Sequence, residues 1–412
     1  MITKMNRKKI LNVNYNINLE TLCLFLFLCY PLIKHIFAYV FHILNLDTQM
    51  EVFPILLVYI PVFVLIKKSR KIPMDFIAIL FFVIMFYLIT RLIHPEYGFW
   101  YDRKYYGAWE YVIKPINGIY IYLFIRLITN VENAEKALKI SSYIMLIYYL
   151  YVLLDAMKRG YWVNFDYKGN IIHLDYDLTF GYNVLFFFLI SCSQFLKNKK
   201  NIDFIYSFLG LTMIILGGSR GPLLGIFVYF LLNIITKIIK DKNSKNYINI
   251  LKIFIFGLIG LLFLYLSWDN ILNFLIKMNP ASRTLNMIIN GNIADDNGRN
   301  LIWKAAIDMI RENPFGYGMM GSRPVLYYLN DVGHPHQLFL EILIDFGVFF
   351  GGFFIFAFLY NIYKEFNRVD NEWHDILIIF IARASHLLIS GTFWHVFAFW
   401  GILAVLKNAK KS

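Results

Sequence analysis

Polar residues come in short blocks along this chain, and between them the apolar positions run on for about twenty residues at a time rather than alternating. A helix of that length crosses the roughly 30 Å hydrocarbon core of a bilayer at ~1.5 Å rise per residue. The pattern predicts about twelve such helices, at 20–44, 51–66, 73–93, 113–129, 137–155, 177–196, 202–217, 221–239, 248–267, 338–362, 375–390 and 392–406. The predicted class is an all-α integral membrane protein, with residues 1–412 as a single polytopic membrane domain. The first run is too long for the apolar part of a cleaved signal, and no small-residue cleavage site follows it.

One interruption is long. Residues 268–337, between the ninth and tenth spans, read as a large external loop holding short amphipathic helices. Loops of this size are usually functional or disordered. Within it, Arg299–Glu312 carries Ile302, Trp303, Ala306, Ile307 and Ile310 at helical spacing, which predicts one apolar face. Asp295-Asp-Asn-Gly298 supplies turn and capping residues before this helix, and Asn313-Pro314 stops it.

Composition strengthens the membrane reading: 59% of residues are hydrophobic and 16% charged, against about 25% charged in soluble domains. A net charge of +13 raises nucleic acid as a partner, but its placement argues against it. Lysines and arginines cluster at Lys4–Lys9, Lys67–Lys71, Lys136–Lys139, Lys197–Lys200, Lys237–Lys245, Lys364–Arg368 and Lys407–Lys411. With the predicted spans, all of these fall on one side, the positive-inside pattern, and both termini are then cytoplasmic. Residues 94–112, 156–176, 218–221, 268–337 and the turn near Gly391 are left on the outer side. Cys23, Cys29 and Cys192 lie inside spans, as small packing residues do, and have neither metal-site nor disulfide spacing. There is no Walker loop, dinucleotide fingerprint or HExxH motif.

The candidate chemistry lies on the outer side. In Gly217-Gly-Ser-Arg-Gly-Pro222, the glycines allow a tight turn and Pro222 suits a first helical turn. Arg220 then sits near a helix N-terminus, where free N–H groups favour an anion and a guanidinium fork matches phosphate oxygens. Arg299 opens the amphipathic helix one turn before Trp303, and Arg283, Arg311 and Arg323 add charge that reads mostly as solvated. His336 precedes the apolar run from Leu338; a histidine titrates near pH ~6.5 and can serve as a general base. His334 is either that base or its orienting partner, and with only Asp331 nearby the two histidines make a poor zinc site. The aromatic residues of the outer loops, Trp100, Tyr105 and Trp162 among them, fit an interfacial belt or sugar stacking.

The ordered set of Ser-Arg-Gly between two spans, Arg299-x-x-x-Trp303, Asn313-Pro-x-Gly-x-Gly318 and His336-Gln337-x-x-Leu340-x-x-x-x-Asp345-x-Gly347 resembles the O-antigen ligase and polymerase superfamily, the WaaL and Wzy types. The resemblance spans roughly Leu209 to Gly352, with Gln337 where asparagine is usual. It implies an integral-membrane glycosyltransferase of the bacterial cytoplasmic (inner) membrane that uses no metal or cofactor. The implied donor is a glycan on undecaprenyl diphosphate, transferred to a glycan acceptor at the outer face. It implies Arg220 and Arg299 as diphosphate ligands and His336 as the base. A Wzy-type polymerase, working with membrane lipids, a chain-length regulator and a flippase, leads over a ligase that moves finished glycan to lipid A core. A lipid-linked oligosaccharide flippase is the third alternative, disfavoured because no repeat relates the two halves.

Asp345 and Arg383 lie about seven or eight residues inside their spans, where ionisable groups are costly and usually paired or functional. They are expected to pair with each other, with Glu341 and His386 nearby, and to support the helix that presents His336.

Overall fold

The computed structural model describes residues 18–46, 51–69, 72–165, 170–174, 177–217, 219, 221–240, 298–329 and 333–410. The expected span at 248–267, the whole of the loop before Gly298, Arg220, Arg283 and Asp331 lie outside these residues. In chain order the main helices are α1 (Leu19–Leu28), α2 (Tyr30–Ile43), α3 (Val52–Ser69), α4 (Met74–Ile93), α5 (Tyr120–Arg126), α6 (Val131–Arg159) and α7 (Leu178–Asn198). They continue with α8 (Asn201–Leu216), α9 (Gly221–Lys240), α10 (Arg299–Glu312), α11 (Leu338–Phe366), α12 (His374–Ala384) and α13 (Phe397–Ala409). One hairpin departs from the helical pattern, β1 (Trp162–Phe165) paired antiparallel with β2 (Ile171–Leu174), Trp162 opposite Leu174.

The protein is an all-α membrane protein in which, among the described residues, six helices are long and apolar enough to cross a bilayer, or seven with one bent pair. That pair is the expected span 20–44, broken into α1 and α2 by a 69° bend at Cys29, where Pro31 opens the second helix. Helix ends follow local chemistry: the Asn130 side chain accepts from Glu132 N–H to start α6, and Gly160 at φ 79° ends it. The buried centre is α7, which packs on α6, α8, α9 and α12. Gly210 of α8 lets the backbones approach, since a Cβ there would lie 3.0 Å from Phe188 Cβ. Helices α3, α4, α9 and α11 leave large apolar side chains such as Phe63, Phe81, Phe227 and Phe353 on the outside, as a lipid-facing surface requires.

Polar contacts gather one set of helix ends. Lys197 bridges Glu135 at 2.7 Å and Asp375 at 2.8 Å, and Arg126 meets Asp75 at 2.7 Å. Thr236 Oγ1 meets His374 Nε2 at 2.9 Å, Asn408 donates to the Ile125 carbonyl at 2.9 Å, and Arg368 donates to the Ala409 carbonyl at 3.2 Å. The starts of α4, α6 and α12 therefore meet the ends of α5, α7, α9, α11 and α13, and bring their lysines to one end of the bundle.

The opposite end is irregular. The expected span 113–129 is helical only as Tyr120–Arg126, and the chain from Pro95 to Ile119 makes short turns around buried Tyr97, Tyr101 and Tyr111. The expected spans 375–390 and 392–406 are the shorter α12 and α13, separated by a folded-in stretch, Ser385–Val396, that buries Leu387, Phe393 and Trp394. α11 breaks at Gly347, with φ 77° and ψ 170°. Non-helical backbone at membrane depth is tolerated where protein covers it or where it lines a cavity. Three such breaks at one end mark a place built for more than spanning.

Candidate active site

The break in α11 is held by the segment that precedes it. Tyr317 N–H donates to the Ile344 carbonyl at 2.8 Å and Gly318 N–H to the Asp345 carbonyl at 3.1 Å, while Val348 N–H donates to the Pro314 carbonyl at 2.8 Å. The Asn313–Gly318 motif thus takes up backbone groups that the kink releases. The approach is too close for side chains: a Cβ on Gly316 would lie 2.5 Å from Gly347 N, and one on Gly347 2.5 Å from the Phe315 carbonyl. Two glycine motifs far apart in the chain are one structural unit. Farther on, Met319 N–H donates to Thr90 Oγ1 at 3.0 Å and its carbonyl accepts from Tyr101 at 2.6 Å, which fixes the loop to α4.

α10 lies on the N-terminal part of α11 through Ile302, Ala306 and Met309 against Leu340 and Ile344. Ile307, expected on this face, is 40% exposed instead, because the buried stripe turns towards Met309. This packing brings Arg299, at the first turn of α10, near enough to His336 for its charge to act on the imidazole.

His336 occupies the left-handed region at φ 54°, uncommon for a residue with a side chain and found disproportionately at functional sites. Its N–H donates to His334 Nδ1 at 3.3 Å, and the rings stand edge to face with centroids 4.1 Å apart. His334 is buried and His336 half-buried. Burial, with the guanidinium of Arg299 second, lowers the His336 pKa to about 4. Burial, then His336 and Arg323, holds His334 well below the ordinary histidine value. Gln337 caps α11 by accepting from Leu340 N–H at 2.6 Å, so the departure from asparagine keeps a capping carbonyl.

One and two turns into α11, Glu341 accepts from Thr392 Oγ1 at 2.6 Å and Phe393 N–H at 3.3 Å, and Asp345 accepts from Trp394 Nε1 at 2.7 Å. Both carboxylates are almost wholly buried, and they fasten α11 to the stretch between α12 and α13. The expected Asp345–Arg383 pair does not form. Arg383 stands in the last turn of α12, where its Nη1 meets His386 Nδ1 at 2.9 Å and its guanidinium lies over the rings of Tyr182 and Phe397. The early end of α12 separates the two groups: Asp345 faces Trp394, and Arg383 faces α7. Arg323 is also not solvated as expected; it is 1% exposed, 4.9 Å from the Tyr111 ring centre, within electrostatic reach of His334, Glu341 and Asp345. Arg311 does remain exposed, beside Asp308.

Sequence reasoning placed His336, Arg299, His334 and Asp345 in one region; His334 stands against His336 and Arg299 lies within electrostatic reach of it, whereas Asp345 faces Trp394 two turns into α11. It missed Thr392 and Trp394 as partners of the carboxylates. The one available signal was the polar and aromatic run Gly391–His395 within what read as a membrane turn.

A family profile described as O-antigen ligase matches residues 205–357. This stretch is similar to the O-antigen ligase domain. The domain opens in α8, includes α9, α10 and the histidine loop, and closes in α11. The likeness and the long apolar helices together support a multi-pass membrane protein of polysaccharide biosynthesis. Thr392, Trp394 and Arg383 fall after the matched residues, and Thr392 and Trp394 bond directly to Glu341 and Asp345 within them. No curated protein and no solved structure matches the chain.

Proposed function

We propose that this protein polymerises oligosaccharide repeat units carried on undecaprenyl diphosphate, by inverting glycosyl transfer at the outer face of the cytoplasmic membrane. The observation that supports the proposal is that Arg299 lies within electrostatic reach of His336 at the N-terminal, broken part of α11, inside the stretch similar to O-antigen ligases. The whole chain acts as one membrane domain, both termini are cytoplasmic, and residues 268–337 are the catalytic outer loop. A flippase supplies the donor and a chain-length regulator limits the product.

In this mechanism His336 accepts the proton of the acceptor hydroxyl as its oxygen attacks the anomeric carbon. The bond from that carbon to the diphosphate oxygen breaks on the opposite side, so the centre inverts. Arg299 and Arg220 neutralise the charge that grows on the leaving diphosphate. His336 is the base rather than His334, because His334 Nδ1 is committed to the His336 N–H and its ring is buried. His334 holds the loop in its left-handed turn. A dianionic donor beside Arg299 offsets the charge that depresses His336 and makes the imidazole more basic when substrate is bound.

The family description also supports a second reading, a ligase that moves finished glycan to a terminal acceptor such as lipid A core. Mass analysis of undecaprenyl-linked glycans in cells lacking the protein separates the two. Single repeat units accumulate if it is a polymerase; long chains stay on the carrier if it is a ligase. Wild type should reverse the accumulation and His336→Ala should not. If neither species accumulates, both readings fail.

A further inference from the structure

The described residues that face Arg383 include no carboxylate. It is 4% exposed, and among the described residues it forms no ion pair and its Nε–H has no acceptor. Its contacts are His386 and the rings of Tyr182 and Phe397, which hold the guanidinium in place without cancelling its charge. An uncompensated buried cation is expensive, and at membrane depth such groups mark ligand or ion sites.

A second set of unused donors lies beside it. Tyr182 links Arg383 to the start of α9: its hydroxyl lies on Gly221, where a Cβ would be 1.9 Å away, and its ring stands 4.1 Å from that of His386. Gly225, one turn further along α9, approaches the Ala382 carbonyl so closely that a Cβ would lie 3.0 Å from it. Ser219, just before α9, is 4% exposed and its Oγ has no hydrogen-bond partner among the described residues. The first N–H groups of this twenty-residue helix have no intrahelical acceptor, and the N-terminal dipole favours negative charge. A buried guanidinium and a helix N-terminus therefore both lie against Tyr182, and an unused hydroxyl lies against its neighbour Gly181, at the His336 end of the bundle.

We propose that Arg383, with Ser219 Oγ and the first N–H groups of α9, binds a phosphate group of the lipid-linked diphosphate. Arg383 is then a substrate-binding residue that lies outside the matched ligase domain, and its charge is balanced by the donor. The inference rests on the proposed donor class, and the test is arranged so that the two can fail separately.

The experiment uses the full chain in lipid nanodiscs and measures binding of farnesyl diphosphate, with farnesol as the uncharged control. Wild type should bind the diphosphate and not the alcohol. Arg383→Met should weaken binding by about tenfold or more, as expected for loss of a charge-assisted contact, and Arg383→Lys by less. Without ligand, Arg383→Met should melt no lower than wild type, because it removes a buried unbalanced charge. A melting temperature well below wild type would assign the guanidinium a structural role and overturn the proposal. Unchanged diphosphate binding in Arg383→Met would overturn it too, while leaving the donor class intact. If wild type does not separate farnesyl diphosphate from farnesol, the donor class itself is wrong. Phosphatidylglycerol in the nanodiscs, compared with phosphatidylcholine, provides the last arm. Arg383-dependent displacement of the probe by phosphatidylglycerol would assign the spot to a headgroup phosphate and overturn the donor assignment.

Discussion

The two ends of this bundle treat buried charge in opposite ways. At the lysine-rich end the buried carboxylates have cationic partners: Glu365 meets Arg368 at 2.9 Å, and Asp203 faces Lys139 at 3.8 Å. At the His336 end, the hydrogen bonds to Glu341 and Asp345 come from Thr392, Phe393 and Trp394, all neutral donors, with buried Arg323 near enough to act on both electrostatically, and Arg383 is held by an imidazole and two rings. The exposed pair Arg91–Asp102 at this same end shows that the difference concerns buried groups. Charges that meet each other are spent on structure. Charges kept apart by neutral partners retain a field that can act on a ligand, at a cost in stability.

The sharpest way to break this contrast is at His336. His336→Ala should reduce turnover by about 10²–10⁴-fold, the usual contribution of a general base, with unchanged expression and melting. A variant that turns over normally would remove the base from the proposed mechanism. The next effect is in the pH profile. The neutral imidazole is the active form, so activity is retained above its pKa and lost as pH falls through it. With a pKa of about 4, kcat/KM should hold through pH 6 and fall only in strong acid. The acid limb of kcat should lie higher, because the bound diphosphate favours the protonated ring. Arg299→Gln should move the kcat/KM limb upwards by removing the positive charge beside the ring, though not all the way to the ordinary value, since burial is the larger cause. A limb near the ordinary histidine value in wild type would show that His336 is solvated in the working enzyme.

How much of this was legible in the chain differs between the ends. The lysine-rich end could be read well, because span length and charge clusters are local properties, and the clusters at 136–139, 197–200 and 364–368 do gather there. The His336 end could be read only as motifs. Hydropathy counts apolar residues without regard to backbone, so the turns at 113–119, 385–390 and 392–396 looked like parts of membrane helices. The Gly347 kink was visible as a motif glycine, but not as the place where Pro314, Tyr317 and Gly318 bond to α11. The depths of Asp345 and Arg383 were similar, and depth alone suggested a pair. Which way each faces depends on where α12 ends, and no residue near Ala384 announces that end.

A smaller effect tests the neutral bracing. Trp394→Phe removes the donor to Asp345 and leaves a buried carboxylate oxygen unsatisfied, which should cost about 1–3 kcal/mol in a detergent melt. Asp345→Asn in the Trp394→Phe background should recover part of the loss, because an unbonded amide oxygen is cheaper to bury than a carboxylate oxygen. If the double variant is no more stable than the single one, the tryptophan matters through its volume and the bond is incidental.

The smallest effect belongs to the other end. Lys197→Met removes the cation shared by Glu135 and Asp375, whose side chains are 32% and 36% exposed. Water reaches both carboxylates once the lysine is gone, so the loss should be about 0–1 kcal/mol and should shrink further as salt is added. Turnover and the acid limb should not move, because Lys197 ends α7 at the side of the bundle away from His336. That null result carries weight because two carboxylates lose their partner there, whereas Trp394→Phe disturbs one. A large fall in turnover from Lys197→Met would mean that α12 transmits strain along its length from Asp375 to Arg383, and the two ends could no longer be treated as separate.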